Sequence, residues 1–187
     1  MNRTGSVRLG AAVAVAIAVA FVAWVVVGRD DSLTTAATTA SETTRGRDVV
    51  VAATAANLRR LARVTRRPIY WAGPKAGITY ELTQSRDGRT YIRYLPRGVA
   101  VGDRGGAYLL VATYRIPDAF GAVQRAGAES GAVTFRIPRG GLAVYDRDAE
   151  TNVYFAYPGS PYQVEVYDPD PRRARRLVAS GAIRPIR

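Results

Sequence analysis

The chain has 187 residues, 48% of them hydrophobic, which is enough for one globular domain with its own core and too few for two. It has no cysteine and no histidine, so disulfides, thiol nucleophiles, imidazole-based triads and Cys or His zinc sites are excluded. Its 27 Lys plus Arg against 15 Asp plus Glu give a net charge of +12, almost all of it arginine with Lys75 as the only lysine. That balance favours anionic neighbours such as lipid headgroups, wall polymers, nucleic acid or an acidic protein.

Residues 1–8 form a short tail carrying Arg3 and Arg8. From Leu9 to Val27 the chain is an unbroken run of Leu, Ala, Val, Ile, Phe, Trp and one Gly. As a helix that run is roughly 28 Å long, the thickness of a bilayer core. Trp24 near its end suits the interface, and Arg29, Asp30 and Asp31 stop it. Residues 9–28 therefore read as a transmembrane signal anchor. The rival, a cleaved signal peptide, has a shorter apolar stretch, and the small residues Ala36, Ala37 and Ala40 lie well past the end of this one. A short positive tail stays in the cytoplasm and long domains cross regardless of charge, so the remainder is expected outside the cell membrane.

Residues 29–47, rich in Thr and Ala, have no apolar periodicity to bury and read as an extended tether. A single α+β domain over 48–187 should follow. Its first element is a helix from Asp48, a plausible N-cap, to Arg66, with Leu58, Leu61, Ala62 and Thr65 on one face, arginines on the rest, and Pro68 as the stop.

Beyond Pro68 the alternation has period two, and turn residues recur at short intervals. Strands are predicted near Ile69–Trp71, Ile78–Gln84, Thr90–Leu95, Tyr108–Arg115, Ala132–Ile137, Leu142–Asp146, Asn152–Tyr157 and Gln163–Tyr167. Asp118 can cap a second helix running to about Gly127, and Asp170 followed by Pro171 a third running to about Ser180. The expected fold is an antiparallel sheet of 7–8 strands covered on one face by about three helices.

An internal repeat is suggested by order and spacing. Tyr91-Ile92-Arg93-Tyr94-Leu95-Pro96 resembles Tyr154-Phe155-Ala156-Tyr157-Pro158, and Val111-Ala112-Thr113-Tyr114 resembles Val164-Glu165-Val166-Tyr167. Each tract leads to a capped helix, as two ββ(β)α halves would.

Few residues could carry catalysis. Glu81 and Glu165 sit mid-strand and could act as an acid and base pair if buried together. Alternation instead places Glu81 with Thr79 and Thr83, and Glu165 with Gln163 and Tyr167, on the side away from Val164 and Val166, which reads as a solvent face. The stretch Asp146–Asn152 offers oxygens at alternate positions but lacks the mid-loop glycine and final acid of a calcium loop. No motif calls for a metal or another cofactor.

If Ile92, Val153, Phe155, Val164 and Val166 point toward the helices, then Tyr91, Arg93, Tyr154, Glu165 and Tyr167 project from the other face, a composition suited to recognition. The expectation is a membrane-anchored, non-enzymatic cell-envelope domain that binds a protein partner or an anionic envelope component through that set. The alternatives are a carboxylate-dependent hydrolase or, with inverted topology, a basic cytoplasmic domain meeting nucleic acid.

Overall fold

The structure is a computed structural model that describes residues 49–186. The expected span and tether lie outside the described residues, and within them no helix is long and apolar enough to cross a membrane.

The chain runs β1 (Val49–Ala53), α1 (Ala55–Thr65), β2 (Tyr70–Trp71), β3 (Ile78–Gln84), β4 (Thr90–Pro96), β5 (Leu110–Arg115), α2 (Ala119–Ala126), β6 (Ala132–Ile137), β7 (Gly141–Asp146), β8 (Asn152–Ala156), β9 (Tyr162–Tyr167), α3 (Pro171–Ala179) and β10 (Arg184–Pro185). It is an α+β fold built on a single eight-stranded antiparallel sheet, in the order β1-β3-β4-β5-β9-β8-β7-β6. β2 and β10 form a separate two-stranded ribbon.

The first helix begins later than the sequence pattern predicts. Val49-Val50-Val51 is β-branched and takes an edge-strand conformation beside β3. Thr54 then caps α1, its hydroxyl accepting from the Asn57 amide at 3.1 Å, and the helix ends at Arg66 in a left-handed conformation. The other caps fall where expected: the Asp118 carboxylate accepts from Gly121 N at 3.2 Å and that of Asp170 from Arg172 N at 2.9 Å. Tyr70–Trp71 forms a strand, but it belongs to the ribbon and not to the sheet.

Pairing across the sheet reads alike from either edge inward. Val50, Thr83, Tyr91, Ala112, Glu165, Tyr154, Val144 and Thr134 stand in one row across all eight strands. The row reverses between Ala112 and Glu165, where the central strands β5 and β9 meet. Tyr91 and Tyr154, the residues that anchor the proposed internal repeat, flank this junction at equal remove. The helices break the match, because α2 and α3 lie on opposite faces.

The expectation of cover on one face only is corrected by the core, which has two parts. One side of the sheet presents Leu82, Ile92, Val111, Val153, Phe155, Val164 and Val166. Buried against it are Leu58 of α1, Ala174 and Val178 of α3, and Ile69, Tyr70, Trp71, Ile183 and Ile186 of the ribbon and its flanks. The other side presents Val144, Tyr154 and Ala156, and α2 covers them with Ala119, Val123 and Ala126. Short connections explain the difference. The chain leaves β5 and crosses the second half of the sheet on one side before returning as β6, and α3 then closes the side left open.

Candidate functional site

The side covered by α2 also carries every residue predicted to form a recognition face, at the places alternation gives them. Their exposure differs from the expectation. Glu165 is 0% exposed and Glu81 3%, so neither belongs to a solvent face. Tyr154 is buried beneath α2, while Tyr91, Arg93 and Tyr167 are half-buried.

Glu165 stands at the centre of the sheet in a shell of side chains from the two flanking strands. Tyr114 of β5 donates its hydroxyl to Oε2, Asn152 of β8 donates Nδ2 to Oε1 at 2.6 Å, and Tyr154 donates to the same Oε1 at 3.2 Å. Burial pushes the Glu165 carboxyl above the ordinary glutamate range, and the donated bonds from Tyr114, Asn152 and Tyr154 oppose that shift. Burial, followed by the neighbouring Glu165 charge, raises both the Tyr114 and the Tyr154 phenol, so each remains a donor. Tyr91 sets its ring edge-on to Tyr114 with centroids 5.9 Å apart, and the Arg89 guanidinium lies 6.0 Å over the Tyr114 ring.

Glu81 has a different task. Its Oε1 accepts from Arg93 Nη1 at 2.8 Å and its Oε2 from the Gly102 amide at 2.6 Å. Arg93 also donates to the carbonyls of Asp103 and Gly105, each at 2.8 Å, and lies 5.2 Å over the Tyr108 ring. The glycine-rich connection between β4 and β5 is thereby folded back onto the first half of the sheet, where it covers the side that α2 covers in the second half. The two glutamates thus serve separate networks. The surface grooves beside α3, lined by Arg173, Arg176, Leu177 and neighbours and by Val133, Phe135, Tyr145 and Arg175, include neither glutamate. The Asp146–Asn152 stretch forms a turn in which Asp146 accepts from the Asp148 amide at 2.8 Å and Glu150 pairs with Arg175 at 2.7 Å. Among the described residues no group of three or more acidic side chains is placed to hold a metal ion.

Exposed charge gathers on the opposite side of the molecule. α1 and the residues after it carry Arg59, Arg60, Arg63, Arg66 and Arg67, all exposed, and the helix contains no acid. None of the ion pairs among the described residues includes one of these arginines. Arg59 stacks 5.9 Å over Trp71 and Arg60 reaches Asn57 at 3.5 Å. On α3, Arg173, Arg175 and Arg176 pair with Asp168, Glu150 and Asp170, leaving Arg172 exposed. Arg184 is exposed and Lys75 half-buried. Lys75 is lowered from its ordinary range by burial and then by the Arg173 charge.

Sequence reasoning missed Tyr114, Asn152 and Asp168, the last 1% exposed and paired with Arg173 at 3.3 Å. The period-two pattern does place Tyr114 and Asn152 on the Glu165 side, and phenol and amide donors around one mid-strand acid were the available signal. Comparison of the chain with protein-family models, with curated proteins and with solved structures yields no match.

Proposed function

We propose that this chain is a membrane-anchored, non-enzymatic cell-envelope domain that binds an anionic envelope component through the arginines of its α1 and α3 side. The observation that carries this reading is α1: a helix with exposed arginines at Arg59, Arg60 and Arg63, no acid of its own and no ion pair to an acid among the described residues. Structural arginines normally find carboxylates, as three of the four on α3 do. A set left without them keeps a positive potential that attracts polyanions at long range and offers guanidinium forks to phosphate at short range.

The expected tyrosine-rich face plays little part in this reading, since Glu165 and Tyr154 are buried. The anchor over residues 9–28 and the tether over 29–47 set the domain close to the membrane, outside the cytoplasm, where anionic headgroups and wall polymers lie. A reporter fused after Arg187 should be active only outside the membrane.

The binding test uses the full chain in neutral detergent with fluorescent linear polyphosphate as probe. The triple variant Arg59→Gln, Arg60→Gln, Arg63→Gln should bind about tenfold more weakly and show a shallower dependence on salt. Equal affinity of the triple variant and the parent protein would overturn the assignment.

A further inference from the structure

We infer that the α1 arginines and the β3–β4 turn form one continuous strip, which takes a linear chain of phosphate groups lengthwise and not a single phosphate or a lipid headgroup. The inference rests on the anion-binding reading and names the class of ligand for that site.

The strip is defined by what it lacks as well as by what it carries. From Val49 to Arg89 the chain has only two acids, Glu81 and Asp87. Glu81 is buried and accepts from Arg93 and from the Gly102 amide. Asp87 accepts from the Ser85 hydroxyl and pairs with Arg89 Nε at 2.6 Å. Both carboxylates are thus engaged. Arg59, Arg60, Arg63, Arg66, Arg67 and Arg86 are exposed and enter none of the ion pairs among the described residues.

The arginines follow one another in space. Arg59 and Arg63 stand four positions apart on one face of α1, about 6 Å along its axis, with Arg60 beside them. Left-handed Arg66 ends the helix, and Arg67 follows it. Arg67 then reaches the β3–β4 turn: a Cβ added to Gly88 would lie 2.5 Å from its Nη1. Gly88 has φ +82°, the left-handed region that favours glycine, and its missing side chain leaves the room that Arg67 occupies. Arg86 stands in the same turn, two positions before Gly88. Both ends of the strip are held before a ligand arrives, Arg67 at Gly88 and Arg59 in a stack 5.9 Å over Trp71.

Guanidinium groups spread in this way cannot converge on one phosphate. From Arg59 to Arg66 alone the backbone rises about 10 Å, whereas a lone phosphate is gripped by forks that meet on it. A chain of phosphates presents one group after another along the strip, and affinity then grows with the number engaged. A lipid surface is the weaker fit. Helices that lie on a bilayer insert bulky apolar side chains beside their cations. The leucines of α1 instead face the core, Leu58 fully buried and Leu61 packed against the same cluster, and Val64 is the one large apolar side chain that the helix leaves exposed.

The test compares two probes on the full chain in neutral detergent, long-chain linear polyphosphate and tripolyphosphate, at equal concentrations of phosphate groups. The long chain should bind about tenfold more tightly per phosphate group. The double variant Arg67→Gln, Arg86→Gln should lose about fivefold in affinity for the long chain, with a shallower salt dependence, and change tripolyphosphate binding by less than about twofold. Equal affinity of the two probes per phosphate group, no loss in the double variant, or displacement of the long chain by phosphatidylglycerol in mixed micelles at the same phosphate concentration would overturn the inference. The triple variant Arg59→Gln, Arg60→Gln, Arg63→Gln separates this failure from that of the reading beneath it. If the triple variant binds the long chain as the parent protein does, the site itself is lost; if it is weakened while the double variant is not, only the lengthwise strip is.

Discussion

Ala112 and Glu165 face each other across the β5–β9 junction, the one point at which a row of paired residues turns back on itself. Both are fully buried and both are flanked by a tyrosine one strand outward, Tyr91 beside Ala112 and Tyr154 beside Glu165. One position carries a methyl and the other a carboxylate. The carboxylate is retained at the centre of the sheet because Tyr114, Tyr154 and Asn152 supply its hydrogen bonds.

Stability should fall with rising pH through Glu165. Its carboxyl is raised by burial when folded, so its contribution is full below the unfolded value near 4.5 and is lost as pH climbs through the folded value. Tyr114, Tyr154 and Asn152 face it directly, and Arg89 and Tyr91 lie one side chain further out. In Glu165→Gln this component disappears, and urea midpoints measured from pH 4 to pH 8 should diverge, the variant gaining on the parent protein as pH rises.

Tyr114→Phe removes the hydroxyl that donates to Glu165 Oε2 and adds nothing in its place. A buried acceptor left without a donor costs about 1–3 kcal/mol. The loss should be larger at pH 8 than at pH 5, and much smaller in the Glu165→Gln background, which a double-mutant cycle measures.

Arg93→Ala should be severe for a half-exposed residue. It leaves Glu81 buried without its cation and frees the carbonyls of Asp103 and Gly105. Breaking such a pair costs about 3–5 kcal/mol, and amide exchange at Gly102 and Gly105 should accelerate before global unfolding. Protection unchanged at both amides would show that the connection is held by other means.

Leu58→Ala tests how α1 is held. Leu58 is the only fully buried side chain of that helix. Truncating it should cost about 2–5 kcal/mol and release α1 ahead of the sheet, seen as early loss of helical signal on heating. Polyphosphate binding should weaken in parallel if α1 carries it.

Alternation along Ile78–Gln84, Thr90–Pro96 and Gln163–Tyr167 made the strands and the side of each residue legible, because a period of two needs only neighbouring positions. What covers each side was not legible. α2 and the Gly98–Gly106 connection fold over the polar side through contacts distant in sequence, such as Glu81 to Gly102, that no local pattern announces. Alternation therefore gives the side of Glu165 correctly and its environment wrongly. Over Val49–Val51 the Asp48 cap and the leucines beyond it fit a helical period, while the three successive valines carry the contrary signal.

The ribbon has a bearing on when the domain can fold. Arg184 and Pro185 pair with Trp71 and Tyr70, and the Ile186 amide donates to the Ile69 carbonyl at 2.8 Å. Ile183 and Ile186 seal the core beside residues from more than one hundred positions earlier in the chain. That core stays open during synthesis until these residues have left the ribosome, a long-range closure of the kind that slows folding. If the chain is threaded across a membrane as it is made, as the proposed function requires, such a delay would keep the part still in transit from closing into a body too wide to pass, and the domain would shut only when β10 arrives on the far side.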